Sequence, residues 1–118
     1  MAVRTLPGYR AMTGSAMLVL TTCGSAADAD ALAEALVESR QAACVSRLDN
    51  VRSTYRWREA VETAEEVLVL IKTTEERLEA VRETVHARTR YELPEFLAVR
   101  VDTAADGYLS WLAAAVAE

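Results

Sequence analysis

The chain has 118 residues, an apolar share of 52% and a formal net charge of −5. A chain of this length suits one domain with a modest core, and these fractions are those of a folded globular protein rather than a disordered one. The negative charge argues against a nucleic-acid partner, because phosphate binding needs a concentrated basic surface. No stretch approaches the roughly 20 apolar residues of a membrane-spanning helix, so no membrane partner is predicted.

The two cysteines, Cys23 and Cys44, are too few and too far apart to predict a disulfide scaffold or a zinc motif. Cys44 stands among small apolar residues, where a free cysteine usually packs as a small hydrophobe. The apolar run 16–20 imitates a lipoprotein signal but is shorter than the roughly 7–15 apolar residues that a signal needs. We therefore predict a reduced, cytoplasmic setting, with a flexible tail over residues 1–15 and a single domain over residues 16–118.

The first predicted elements are a strand and a helix. Residues 16–22 form a short apolar run that ends before Gly24, as a strand buried on both faces does. Ser25 stands three residues before Asp28, which is a reasonable helix start. An apolar stripe with three- and four-residue steps then follows at Ala29, Leu32, Leu36 and Ala43.

A long hairpin is predicted next. From Cys44 to Arg58 the side chains alternate with the period of a strand, and Asp49–Asn50 interrupts the alternation, so a bulge is expected there. A second strand runs from Val61 to Lys72, with the turn at Glu59–Ala60. Arginines on the first strand are expected to face glutamates on the second in a solvated ion-pair ladder.

The length of this hairpin predicts self-association. About fifteen extended residues span about 50 Å, whereas a compact domain of this size is about 35 Å across. Tyr55 and Trp57 lie on one face near the tip, and such aromatic side chains need cover. Because most soluble oligomers are homo-oligomers, another copy of the chain is the simplest cover. We predict that Tyr55, Trp57 and Trp111 lie at the interface.

The remaining chain predicts a helix, a strand and a final helix. Thr73–Glu76 is typical of a capping box for a helix that ends near Arg88. Pro94 biases the residue before it toward extended geometry, and residues 97–101 then alternate as a fourth strand. A last helix begins near Asp106. The order βαββαβ with an added C-terminal helix predicts a ferredoxin-like α+β sandwich with a long hairpin between its second and third strands.

His86, Glu92 and Glu95 are the first candidates for chemistry. Because Arg82 lies one turn before His86, we interpret this single histidine as a solvated residue near a helix C-terminus rather than a metal ligand. Glu92 and Glu95 could serve as general acid and base with Tyr91, but no nucleophile or oxyanion element accompanies them. The alternative is a loop that closes against a neighbouring chain, with carboxylates that accept hydrogen bonds.

Five separated segments resemble the CutA-type divalent-cation tolerance proteins in order and spacing: RQAACVS, STYRW, EEVLVLIKTTEERLEAV, RYELPEFLAV and DGYLSWL. The resemblance covers about residues 17–112. It implies subunits similar in fold to the PII signalling proteins, which form tight homotrimers through long hairpins. It also implies a non-enzymatic role in the response to metal ions such as copper, with no required cofactor and with copper or another divalent cation as the implied ligand.

Positions that carry soft-metal ligands in some family members hold other residues here. Thr21 stands where some members have a cysteine, and Arg88 and Thr89 align with a histidine pair. Cys44, in the family's Ala-Cys-Val pattern, is kept and is the one metal candidate. We therefore expect copper(II) affinity no better than that of scattered surface carboxylates and one histidine.

Two other functions stay open from the sequence. A PII-like regulatory module would bind a small anionic molecule in a cleft between subunits, and its candidate lining residues are Arg52, Arg56, Lys72, Tyr91, Glu92 and Glu95. An enzyme such as an acylphosphatase would need an arginine-bearing anion loop after the first strand, and the segment TTCGSAAD has no arginine, so that hypothesis rests on fold analogy.

Overall fold

The computed structural model describes residues 9–11 and 16–118. The strands are β1 Tyr9–Ala11, β2 Ala16–Cys23, β3 Cys44–Trp57, β4 Ala60–Thr74, β5 Leu97–Arg100 and β6 Thr103–Ala105. The helices are α1 Ala26–Glu38, α2 Leu78–Arg88 and α3 Asp106–Ala115, and a 3-10 turn, Glu75–Arg77, precedes α2. Among these described residues, no helix combines the length and apolarity that a membrane span requires.

The main sheet has the strand order β3-β4-β2-β5, and every neighbouring pair is antiparallel. Along the chain, α1 follows β2 and α2 follows β4. This is the ferredoxin-like βαββαβ arrangement, and the predicted fold class is confirmed. The core lies between the two helices and one face of the sheet. Its fully buried apolar side chains are Val19, Leu36, Val69, Ile71 and Val81.

Helix α1 begins and ends for local reasons. The Ser25 Oγ accepts a hydrogen bond from the Asp28 N–H at 3.1 Å, as predicted for an N-cap. After Glu38 the backbone turns through Arg40, whose φ is +60°. Ala43 therefore leaves the helical stripe on which the sequence placed it and packs against α3 instead.

The predicted capping box before α2 is wrong. Thr73 and Thr74 are the last residues of β4, and Thr74 makes no side-chain hydrogen bond as the cap of the 3-10 turn. The buried Thr73 Oγ1 instead donates to the Gln41 carbonyl at 2.6 Å. This bond joins the end of β4 to the turn after α1, so a tertiary contact takes the hydroxyl that the local pattern assigned to a cap.

Part of the predicted N-terminal tail has regular structure. Tyr9–Ala11 pairs antiparallel with Thr103–Ala105 in a separate two-stranded sheet. Residues 1–8 and 12–15 lie outside the described residues, so the prediction of a flexible tail there stays a prediction. A three-residue strand is too short to show periodicity, which is why the sequence did not indicate β1.

The hairpin of β3 and β4 is as long as predicted. The register shifts between Leu48 and Val51, which confirms the bulge, and Asn50 has a φ of +59° there. The turn lies one residue earlier than predicted, because Trp57 pairs with Ala60. The Cα radius of gyration is 15.6 Å, against about 13 Å for a compact domain of this size, and the longest dimension is 47 Å. The hairpin thus forms an arm that extends beyond the core.

The second face of the main sheet is largely open. Helix α3 packs against β4 and β6 and covers one end of this face. Because side chains alternate along a strand, the residues between the core positions face outward as an apolar surface. We call this surface the open sheet face; its members are Leu18, Leu20, Leu48, Leu68, Leu70, Leu97 and Val99. Leu97 and Val99 are 56% and 51% exposed, so the single chain leaves apolar surface in water.

Candidate functional site

A cleft of about 690 Å³ lies between the arm and the loop 89–96 that follows α2. The arm contributes aromatic and acidic side chains: Tyr55, Trp57, Glu62 and Glu66. The loop contributes Tyr91, Glu92 and Glu95. We call this the arm–loop cleft.

The register of the hairpin explains why aromatic and acidic residues share the cleft. With Trp57 opposite Ala60, Tyr55 lies opposite Glu62 and Val51 opposite Glu66. Directly opposed residues project from the same face of a sheet, so these side chains lie together. Arginines one residue along the strand, such as Arg56, project from the other face.

The predicted ladder of arginines and glutamates along the arm is wrong. Arg52 is opposite Glu65, but Arg56 is opposite Val61, and no ion pair joins β3 to β4 within residues 16–118. A hairpin with this two-residue turn pairs even-numbered with odd-numbered positions. The arm's arginines, Arg52 and Arg56, have even numbers, and so do the cleft glutamates of β4, Glu62 and Glu66. These arginines therefore cannot lie opposite these glutamates. This parity was readable from the sequence, and it was the signal that would have identified Glu62 and Glu66 as cleft residues.

The loop is held against the end of β2. The buried Thr21 Oγ1 donates to the Glu95 carbonyl at 2.7 Å, and the Tyr91 N–H donates to Thr89 Oγ1 at 3.1 Å. Thr21 stands at a position where the resemblance described above places a cysteine in some proteins. Its observed role is to position the loop that forms one wall of the cleft.

Tyr91 links the loop to the arm. Its hydroxyl donates to Glu66 Oε2 at 3.3 Å. Burial, followed by the nearby Glu66 carboxylate, raises the pKa of Tyr91 to about 12. The phenol therefore stays protonated at neutral pH and acts as a hydrogen-bond donor to Glu66.

A cation from the chain itself already lies at the edge of the cleft. Arg58, in the hairpin turn, donates from Nη2 to both carboxylate oxygens of Glu92 at 3.1 and 3.2 Å. Its guanidinium carbon lies 5.3 Å from the ring centroid of Trp57. The pair is exposed and contributes at most about 1 kcal/mol, but it closes the arm tip onto the loop.

The structure separates the six residues that were predicted to line an anion-binding cleft. Tyr91, Glu92 and Glu95 line the arm–loop cleft, whereas Arg52 and Arg56 lie on the arm's other face. The sixth, Lys72, is near the opposite end of the sheet, where its Nζ donates to Ser46 Oγ at 2.7 Å. Trp111, which was predicted at the interface, packs against Tyr108 along α3 with tilted rings whose centroids are 5.4 Å apart.

The candidate metal ligands have neighbours that do not suit a copper centre. Lys72 Nζ lies 3.8 Å from Cys44 Sγ, and an ammonium there repels a divalent cation. His86 is exposed in the last turn of α2, as predicted, and its Nδ1 donates to the Arg82 carbonyl at 2.8 Å. In the described part of the chain, no three His, Cys, Asp or Glu side chains converge as a metal site would require.

Cys23 lies beside a smaller pocket of about 110 Å³ next to Tyr91. Both cysteines are free. Burial, with a smaller effect of the Asp28 carboxylate, raises the pKa of Cys23. Because the thiolate is the reactive form, this thiol is a poor nucleophile at neutral pH.

The fold and the cleft together define the class of protein. It is a small α+β protein with a ferredoxin-like sheet, a protruding hairpin arm, an open apolar sheet face and a cleft between the arm and a loop. Residues 17–115 match the model of the CutA1 divalent ion tolerance protein family. The chain therefore belongs to this family, as its five sequence segments indicated.

Relatives in bacteria and plants agree. The divalent-cation tolerance protein CutA of Thermus thermophilus is 39% identical over 95 residues, which cover 80% of this chain and 92% of that protein. The chloroplastic protein CutA of Arabidopsis thaliana is 37% identical over 81 residues, and the match covers 69% of this chain but only 44% of that longer protein. The solved structure of CutA from Synechococcus elongatus superposes with a TM-score of 0.87 at 33% identity, covering 92% of this chain and 96% of that one.

Proposed function

We propose that the protein works as a cytoplasmic, non-enzymatic homotrimer in tolerance of divalent metal ions such as copper. Membership of the divalent ion tolerance family supports the metal-response role. The open sheet face carries the proposal of assembly, because it leaves Leu97 and Val99 more than half exposed in a single chain. The number of copies, three, follows from the family resemblance.

Sedimentation equilibrium at micromolar concentration tests the assembly. We expect a mass three times that of the 12.9 kDa chain. A well-folded particle of 12.9 kDa at the same dilution would contradict the proposal. For the metal response, a strain that lacks this gene should grow more slowly than its parent in copper, and the wild-type gene should restore growth. Equal growth of the two strains across copper concentrations would argue against the role.

The protein is proposed to act without a tight copper site of its own. The ammonium of Lys72 beside Cys44 and the hydrogen bond that His86 makes with its own helix support this view. A copper(II) titration followed by calorimetry should show only weak binding at scattered carboxylates. Tight stoichiometric binding that Cys44→Ala abolishes would overturn it. The metal response would then pass through a protein partner or an organic ligand.

Binding of a small anion between subunits stays a second prediction. It requires Arg52 and Arg56, which face away from the cleft of their own chain, to meet Tyr91 of another copy. Calorimetry with nucleotides and carboxylate metabolites tests it, and no heat with any of them would count against it.

A further inference from the structure

The two sides of the arm carry opposite charge, and the arm–loop cleft is the acidic side. Three of the carboxylates that line the cleft, those of Glu62, Glu66 and Glu95, form no ion pair with any described residue. Arg90 also lines the cleft, but it pairs with Asp28 at 3.1 Å. The cleft therefore keeps negative charge that its own chain does not neutralise.

The opposite side of the arm is basic. We call this surface the outer arm face; its members, which pair across the hairpin, are Arg52, Thr54, Arg56, Val61, Thr63 and Glu65. All six are exposed in the single chain, Val61 to 65%. Arg52 and Arg56 form no ion pair with any described residue, although Glu65 lies opposite Arg52. This face thus presents two arginines beside an uncovered apolar side chain.

The two surfaces cannot meet within one chain. Successive side chains of a strand point to opposite faces, so Arg56 points away from the cleft that Tyr55 and Trp57 line. A second copy can reach either side, because the arm extends beyond the core. The cleft also suits an arginine: Arg58 already lies 5.3 Å from the Trp57 ring centroid while its Nη2 donates to Glu92.

We propose that the outer arm face of one copy docks in the arm–loop cleft of the next, with Arg52 and Arg56 against the three unpaired carboxylates and the aromatic rings of the cleft. The proposal names the partner of the cleft and rests on the assembly of copies proposed above. Because two different surfaces meet, the copies add head to tail, and a ring of three fills every cleft.

The position of the cleft agrees with this contact. Glu66 and Leu68 are two positions apart on β4, so the cleft continues the open sheet face, on which the proposed assembly depends. The contact also neutralises the arginines that a small anion between subunits would need, so the two arrangements exclude each other.

A zero-length cross-link tests which chains meet. Lys72 is the only lysine of the chain, so Arg56→Lys adds one side-chain amine and keeps the positive charge. A carbodiimide joins this amine to a touching carboxylate as an amide, with loss of water. When isotopically light and heavy chains are refolded together, mass spectrometry distinguishes links between chains from links within one. We expect links from the new amine to Glu62, Glu66 or Glu95 of another chain.

Arg82→Lys is the matched control. Arg82 lies on α2 and pairs with Glu79 of the same helix, so the amine introduced there should link only within its own chain. Links from the Arg56→Lys amine that stay within one chain, or that reach only carboxylates outside the cleft, would overturn the proposal.

Charge reversal tests the same contact without a reagent. The double substitution Arg52→Glu and Arg56→Glu sets carboxylates against carboxylates, so it should raise about tenfold the concentration at which half of the chains are assembled. Adding Glu62→Arg and Glu95→Arg to the same chain exchanges the two charges and should restore assembly, which repair of a general folding defect would not explain. A dilution series in the ultracentrifuge that the double variant leaves unchanged would count against the contact.

The arm contact and the assembly fail in different ways. An Arg56→Lys variant that sediments at three times 12.9 kDa yet gives no link between chains would keep the homotrimer and overturn the arm contact. Wild-type protein that sediments at 12.9 kDa would contradict both.

Discussion

Leu36 and Val37 are consecutive residues of α1 with opposite environments. Leu36 is fully buried in the core, whereas Val37 is 44% exposed on the outer side of the helix. Leu36→Ala should lower the free energy of unfolding by about 2–5 kcal/mol, because it removes buried methyl groups and leaves a cavity. Val37→Ala is the control and should change it by less than about 0.5 kcal/mol. Urea unfolding at one fixed protein concentration measures both, and similar losses would mean that the packing of α1 is wrong.

Tyr91 should make the free energy of unfolding depend on pH. Its folded pKa of about 12 lies above the ordinary value of 10.0, so the folded chain holds the phenol proton more tightly than the unfolded chain. The stability that this group contributes is therefore fully present below pH 10.0 and is lost as pH rises toward about 12. Tyr91→Phe should reduce the fall in stability across this window, as measured by urea midpoints. A wild-type slope in the variant would exclude Tyr91 as the titrating group.

At the scale of elements, the link between β4 and the turn after α1 depends on one hydroxyl. Thr73→Val keeps the β-branched shape but removes the buried donor to the Gln41 carbonyl, which leaves a partly buried acceptor without this partner. We expect a loss of about 1–3 kcal/mol in unfolding free energy. Thr63→Val makes the same change at an exposed position of the arm and should be nearly neutral. Equal effects in denaturant titrations would refute the proposed role of Thr73.

The bulge in the arm depends on the backbone conformation of a single residue. Asn50 has a φ of +59°, in the left-handed region that asparagine and glycine tolerate and that β-branched residues avoid. Asn50→Val should cost about 1–2 kcal/mol, and Asn50→Gly should cost much less. Thermal melts of the two variants compare them directly. If valine were tolerated as well as glycine, the arm would not need this bulge.

For the whole molecule, the open sheet face leads to a prediction about assembly. Val99→Asp places a charge among exposed apolar side chains without touching the core, so it should shift sedimentation toward the single chain while the circular dichroism stays native. Val37→Asp makes the same substitution on the helical side and should leave the mass unchanged. A Val99→Asp variant that keeps the wild-type mass would place the interface elsewhere.

Much of this fold was predictable because its signals are local. The apolar run of β2, the Ser25 cap of α1 and the interrupted alternation at Asp49–Asn50 each involve residues close in sequence, and the strand, the cap and the bulge were found where predicted, although β2 is buried on one face only. The failures concern competition between partners. Thr73 had a plausible local role as a cap, but a carbonyl more than thirty positions away, that of Gln41, takes its hydroxyl.

The candidate site was predicted only in part for the same reason. Tyr91, Glu92 and Glu95 stand together in the sequence and were found as a group. Their partners Glu62 and Glu66 follow from the parity of the hairpin pairing, which the length of the turn sets. The predicted turn was one residue late but kept this parity, and the prediction of an arginine–glutamate ladder did not take the parity into account.

The order of elements, the family and the unusual length of the arm can be read from the amino-acid sequence, because hydrophobic period, caps and motif spacing are properties of neighbouring residues. The packing of the folded chain was needed to show that Thr21 holds the loop, that Arg58 pairs with Glu92 and that Lys72 lies beside Cys44. These contacts join residues that are distant in the chain. Their geometry depends on strand register and on how the loop packs, so no local pattern encodes it.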